Sequence, residues 1–116
     1  MNGSKNPECE SISGLEEAYK FSLNNVDLYA PTYFAPCLQK FVEMVTERKN
    51  NLTYHIMLIM TDGVVDDLQE TKDIIVAASK LPVSIIIIGV GEHDFEMMDE
   101  LDVEKNSIED SNGNSI

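Results

Sequence analysis

Apolar and polar residues follow two different patterns along this chain. In the first half, apolar residues recur every three or four positions, which predicts amphipathic helices near 13–24 and 34–49. Ser13, with Glu16 three residues later, has the form of a capping box at the start of the first helix. The second half instead contains uninterrupted apolar runs, which indicate strands.

Residues 54–61 and 83–90 are continuously apolar and have the length of strands. Continuous rather than alternating apolar character is typical of strands that are covered on both faces, as in a parallel sheet. Residues 67–80 lie between them with helical spacing, and Leu81-Pro82 ends that helix because proline restricts the residue before it. The order strand, helix, strand predicts a right-handed βαβ unit with parallel strands.

A further short helix is predicted near 93–101, where apolar residues again recur at helical spacing. We therefore divide the chain into a leader over 1–10, a domain over 11–102 and a polar, disordered tail over 103–116. The predicted fold class is α/β, with a three-layer, Rossmann-like arrangement of helices on a parallel sheet.

The charge is strongly unbalanced, with 21 acidic against 8 basic residues and a net charge of −13. Such a surface repels phosphate backbones, so we expect no nucleic-acid binding and no direct membrane binding. The sequence has no apolar run of the roughly 18 residues that a membrane span requires and no signal-peptide core. The two cysteines lack metal-ligand spacing, so a zinc site is not expected. Without a secretory signal, we expect a reducing, cytoplasmic setting with free thiols.

The candidate chemistry lies directly after the first predicted strand, at Asp62-Gly63. Ligands of open α/β sheets bind beyond the carboxyl ends of the strands, and a carboxylate there suits a hard cation. The same spacing also fits an Asx-type turn at Asp62, with Asp66 or Asp67 capping the following helix. Spacing alone leaves both interpretations open.

Several segments, taken in order, resemble the von Willebrand factor A-like domain of copines. The matching segments are Asn6-Pro7, Ser13 to Tyr19, Leu28 to Pro36, Tyr54 to Val64, Thr71-Lys72, Ala77 to Gly91 and Phe95 to Asp102. Thr-Asp-Gly alone is a weak signal, whereas the ordered series is specific.

The resemblance implies a binding role. Copines are cytosolic proteins in which two C2 domains give calcium-dependent phospholipid binding and the A domain recruits protein partners. The metal-ion-dependent adhesion site of an A domain uses an Asp-x-Ser/Thr-x-Ser loop, a threonine loop and a Thr-Asp-Gly loop. By resemblance, Thr32 and Asp62 are the ligands of the second and third loops for Mg²⁺ or Mn²⁺. This sequence contains neither the first-loop pattern nor C2 domains, so we expect an incomplete fold that binds metal weakly or not at all.

The expected function is a copine-like protein-binding module that recruits intracellular proteins and is not an enzyme. An unpaired edge of the incomplete sheet would favour self-association. One alternative is a metal-assisted hydrolase or phosphotransfer enzyme that uses Asp62, which would require a second group to activate a nucleophile. The other is a truncated gene product without a function of its own.

Overall fold

The computed structural model describes residues 6–48 and 52–116, and the chain divides into two compact units between Ala30 and Pro31. The first five residues of the predicted leader, and the end of the helix predicted over 34–49, lie outside the described residues. The predicted domain boundaries at 10 and 102 stay predictions.

Over residues 6–30, the described part of the first unit, there is one helix, α1 (Ser11–Leu23). It begins before the predicted start, and no side-chain hydrogen bond caps its N-terminus, so the capping-box prediction for Ser13 was wrong. The Ser13 hydroxyl instead lies 2.8 Å from the Ser11 hydroxyl within the helix. At the end of the helix, the Asn24 side-chain amide donates a hydrogen bond to the Lys20 carbonyl at 3.1 Å. This hydrogen bond satisfies a carbonyl of the last turn, where carbonyl groups lack helical partners.

The second unit contains the predicted βαβ core. Its elements are α2 (Ala35–Glu47), β1 (His55–Thr61), α3 (Leu68–Ala78), β2 (Val83–Gly89) and α4 (Glu96–Asp99). The two strands pair in parallel, from His55 opposite Val83 to Thr61 opposite Gly89. The prediction of an α/β fold with a parallel βαβ core is therefore confirmed.

One face of the sheet carries the hydrophobic core. Met57, Ile59, Ile85 and Ile87 point to this face, because alternate residues of a strand share a side. They pack against buried residues of the helices, of the loops beside them and of the C-terminal segment: Phe34, Leu38, Val65, Ile75, Val76, Met98, Leu101 and Ile108. The helical cover of this face therefore comes from several parts of the chain at once.

The opposite face of the sheet is exposed. It carries the aliphatic side chains of Ile56, Leu58, Met60, Ile86 and Ile88. The continuous apolar runs predicted strands covered on both faces, and the burial pattern of β1 instead alternates between half-buried and exposed residues. Within 31–48 and 52–116, helices of the second unit cover one face, so this unit has two layers.

Residues 103–116 are ordered, which corrects the prediction of a disordered tail. Ile108 is 1% exposed and belongs to the core. Its backbone exchanges two hydrogen bonds with Ile116, at 3.2 and 3.0 Å, and the Asp110 carboxylate accepts amide hydrogen bonds that close the turn between them. A single buried isoleucine in a polar segment leaves no periodic pattern, which is why the sequence did not reveal this order.

Candidate functional site

Two loops meet at the carboxyl end of β1. One runs from Asp62 to Asp67 after the strand, and the other contains Thr32 and leads into α2. The Asp66 amide donates to the Thr32 carbonyl at 2.8 Å, and the Thr32 amide donates to Asp66 Oδ2 at 2.6 Å. This reciprocal pair fastens the two loops together, and we call them the clamped loops.

Asp67 strengthens the same junction. Its Oδ1 accepts from the Phe34 amide at 2.9 Å, and its Oδ2 accepts from the Ala35 amide at 2.8 Å. These amides belong to the first turn of α2, where backbone donors lack helical partners and the helix dipole favours negative charge. Asp67 occupies the N-cap position of α3 without a side-chain cap bond to that helix backbone. The predicted cap of α3 is therefore a cap of α2, while the Thr71 hydroxyl donates to Oδ1 at 3.3 Å.

Asp62 is exposed and makes a local turn. Its Oδ1 accepts from the Val64 amide at 3.4 Å, which is a long and therefore weak contact. The buried Thr61 hydroxyl accepts from the Gly63 amide at 3.1 Å. This contact with Val64 has the form of the Asx-type turn that spacing allowed for Asp62.

Phe95 packs beneath these loops against two glycines. Gly63 has φ +103°, and a Cβ there would lie 2.7 Å from the Asp94 carbonyl and 2.9 Å from the Phe95 ring. At Gly89, the last residue of β2, a Cβ would lie 2.6 Å from the same ring. Both glycines are therefore required so that the aromatic ring can close over the ends of the strands.

The donor set does not fit a Mg²⁺ site by itself. Thr32 and Asp62 both lie in the clamped loops, but the hydrogen bonds of Thr32 run to Asp66. Across residues 6–48 and 52–116, no group of three or more His, Cys, Asp or Glu side chains could hold a metal. With Asp66 and Asp67 accepting backbone hydrogen bonds, one carboxylate and one hydroxyl remain, fewer than near-octahedral Mg²⁺ normally requires.

The sequence did not predict that Asp66 and Asp67 join the two loops, although the start of α2 gave one indication of it. Helix α2 begins with Phe34 at the N-cap and Pro36 in its first turn, and no side chain of its own caps it. A helix without a local cap requires acceptors from elsewhere for its first amides. The two adjacent aspartates before α3 could therefore cap either α3 or a neighbouring helix.

These features define the class of protein: an α/β chain with a parallel βαβ core and loops gathered at the carboxyl end of its sheet, as in von Willebrand factor A-like domains. A family model described as Copine matches residues 1–116, so the chain belongs to the copine family. Within the described ranges, no helix combines the length and apolar character that crossing a membrane would require.

Proposed function

We propose that this chain is a protein-binding module of the copine A-domain type, which recruits intracellular proteins in the cytoplasm and is not an enzyme. The clamped loops carry the proposal. Two of their three carboxylates, those of Asp66 and Asp67, hold backbone amides in place, so these loops form a fixed surface. Family membership supports the same role, since the resemblance assigns protein recruitment to the A domain.

The exposed side chains of the clamped loops support binding of a protein. Tyr33 is 54% exposed and Val64 is 46% exposed, on either side of the junction between Thr32 and Asp66. Tyrosine is among the residues that most often anchor protein interfaces, and a neighbouring valine adds apolar contact area around it. The acidic character of the whole chain, with a net charge of −13, favours neither nucleic acid nor an anionic membrane as the partner.

The test compares two charge reversals in an affinity capture from cytosol. Asp62→Lys places a cation in the clamped loops, whereas Glu47→Lys makes the same change in charge at the far end of α2. We expect Asp62→Lys to remove partners that wild type and Glu47→Lys both retain. Equal loss or equal retention in the two variants contradicts a binding role for these loops.

A metal-assisted hydrolase or phosphotransfer enzyme that uses Asp62 is the competing function. Such an enzyme needs a second group to hold the metal or activate a nucleophile, and the neighbouring carboxylates accept hydrogen bonds from α2 and Thr32. Assays with a phosphate monoester and an activated ester distinguish the two functions. Turnover that Asp62→Ala abolishes would refute the proposal of a non-enzymatic module.

We further propose that Mg²⁺ and Mn²⁺ bind weakly or not at all, through Thr32 and Asp62 if they bind. Calorimetric titration with each ion tests this directly. Affinity in the micromolar range that is lost in Asp62→Ala would show that these two residues have additional ligands and would contradict the proposal.

Self-association through a free edge of the sheet belongs to the same proposal. Within the described residues each strand has one strand neighbour, so each leaves one edge without a partner. Sedimentation velocity over a range of concentrations measures this tendency. A sedimentation coefficient that remains that of a monomer up to high concentration would count against it.

A further inference from the structure

A cavity of about 590 Å³ lies beside β2, and its lining includes Phe95 but no residue of the clamped loops. Val83, Ile85 and Ile87 of β2 form one wall, and Ile75, Met98 and Leu101 are among the residues that form the rest. No residue of β1 lines it, although Met57 and Ile59 point to the same face of the sheet. The cavity therefore lies on the β2 side of the sheet.

The edge of β2 that faces away from β1 has no strand partner in the described part of the chain. An unpaired edge presents backbone donors and acceptors that can pair with an extended segment of another chain. Alternate side chains of an added strand point to the same side of a sheet. A segment paired with β2 would therefore direct every second side chain towards the cavity.

The rim of the cavity is acidic. Asp99, Asp102 and Glu104 are among its lining residues. Lys105 lies next to them, with its Nζ 2.7 Å from Asp99 Oδ1 and 4.0 Å from Asp102 Oδ2. The rim thus already binds an ammonium group, and two carboxylates remain in excess of this one cation.

These observations select the chemistry of the occupant. The apolar walls suit aliphatic or aromatic side chains, and the volume lies in the range of specific binding pockets. The rim suits Lys or Arg. A second copy of this chain is a poor match for this cavity, because the chain has 21 acidic against 8 basic residues and the rim requires a cationic segment. Self-association is left to the free edge of β1.

We infer that the cavity and the free edge of β2 form a docking groove for an extended, basic segment of a partner protein. Alternate apolar side chains of that segment enter the cavity, and flanking Lys or Arg residues face Asp102 and Glu104. The inference rests on the proposed function and adds a second surface to it, separate from the clamped loops.

Fluorescence anisotropy with two labelled, capped peptides tests the groove. Both peptides alternate leucine and threonine, and they differ only in flanking lysines or flanking glutamates. We expect the lysine peptide to bind the full chain at least about tenfold more tightly, with the difference shrinking as salt is added. Equal binding of the two peptides overturns the inference.

Variants locate the binding to this groove. Val103 lines the cavity and is 49% exposed, so Val103→Trp is expected to fill the opening and abolish binding while the circular dichroism spectrum is unchanged. Asp102→Asn with Glu104→Gln is expected to weaken binding roughly fivefold. The matched control, Glu47→Gln with Glu92→Gln, removes the same charge elsewhere and is expected to leave the affinity unchanged. Binding that survives Val103→Trp, or that falls equally in the control, overturns the inference.

Two further outcomes separate this inference from its alternatives. Self-association that Val103→Trp abolishes and that salt strengthens would identify a second copy as the occupant and overturn the inference. Equal binding of the two peptides, together with partner capture that depends on Asp62, would also overturn it, while leaving the clamped loops and the proposed function intact.

Discussion

The two faces of the small sheet are built from similar residues and have different surroundings. Ile and Met side chains of the covered face pack against the core, whereas Leu58 on the other face is 53% exposed. Hydrophobicity is nearly the same on both faces, so it does not explain the difference. The covered face is buried because α2, α3 and the segment around Ile108 lie on it.

This comparison shows which interactions stabilise the second unit. Burial contributes free energy only where other apolar groups replace water, so the exposed face contributes little to stability at present. The elements that form the cover are attached by hydrogen bonds to Asp67 at α2 and to Asp73 at the C-terminal segment. At the strand ends the attachment is the packing of the Phe95 ring against glycines. Removing a core side chain of the cover, or one of these attachments, should therefore destabilise the second unit.

The largest difference in stability is expected when the same substitution, leucine to alanine, is made in the core that covers one face of the sheet and on the exposed face. Leu38→Ala removes a side chain that is 1% exposed in the core and should lower the free energy of unfolding by about 2–5 kcal/mol. Leu58→Ala on the exposed face should change it by less than about 0.5 kcal/mol. Urea denaturation monitored by circular dichroism measures both values. Similar losses would mean that the exposed face is buried in solution.

The next effect concerns the attachment of α2. Asp67→Ala leaves the Phe34 and Ala35 amides without acceptors and should cost about 2 kcal/mol. Asp62→Ala, in the same loop, removes only the 3.4 Å contact with Val64 and should cost less than about 0.5 kcal/mol. Chemical denaturation of both variants provides the measurement. If the two aspartates prove equivalent, Asp67 does not hold the cover in place.

Two glycines allow backbone strain to be separated from steric conflict at Phe95. Gly63 and Gly91 both have positive φ, +103° and +106°, so alanine at either position should cost on the order of 1 kcal/mol. A Cβ at Gly63 also meets the Asp94 carbonyl and the Phe95 ring, whereas at Gly91 the nearest group is His93 at 3.9 Å. Gly63→Ala should therefore lower the melting temperature more than Gly91→Ala. Equal shifts would show that Phe95 is not held tightly.

The smallest effect is a pH dependence in the C-terminal segment. Hydrogen bonds from Gln69, and then from Ser111, hold the pKa of Asp73 below its ordinary value of 3.8. Because the folded pKa is lowered, this contribution to stability is fully present above 3.8 and is lost as the pH falls through the lowered value. NMR titration of the carboxyl carbon should show that Gln69→Ala raises the pKa of Asp73. An unchanged pKa in that variant would show that the hydrogen bond from Gln69 does not stabilise the charged form of Asp73.

Much of the secondary structure was predictable because it is local. The two apolar runs produced parallel strands over 55–61 and 83–89, close to the predicted 54–61 and 83–90. The helix predicted over 67–80 occupies 68–78, because a periodic apolar face and Pro82 both act within a few residues. The capping-box prediction at Ser13 was wrong, because α1 begins at Ser11, before the predicted cap residue.

The candidate site was predictable only in part. The family resemblance pointed to Thr32 and Asp62, and the structure places both in the clamped loops at the carboxyl end of β1. It also shows that Asp66 and Asp67 bind backbone amides more than thirty residues away in sequence. Helix caps of this kind depend on which helix lies nearby, and neither spacing nor propensity contains that information.

The amino-acid sequence by itself determined the α/β class, the parallel βαβ order, the acidic character and the copine family, because each depends on local pattern, composition or an ordered series of motifs. Only the tertiary structure decided which face of the sheet is covered, that Ile108 joins the core and that Asp67 caps α2. These outcomes depend on contacts between segments far apart in the chain. Their free energies arise from burial and hydrogen bonding that exist only once the elements have packed together.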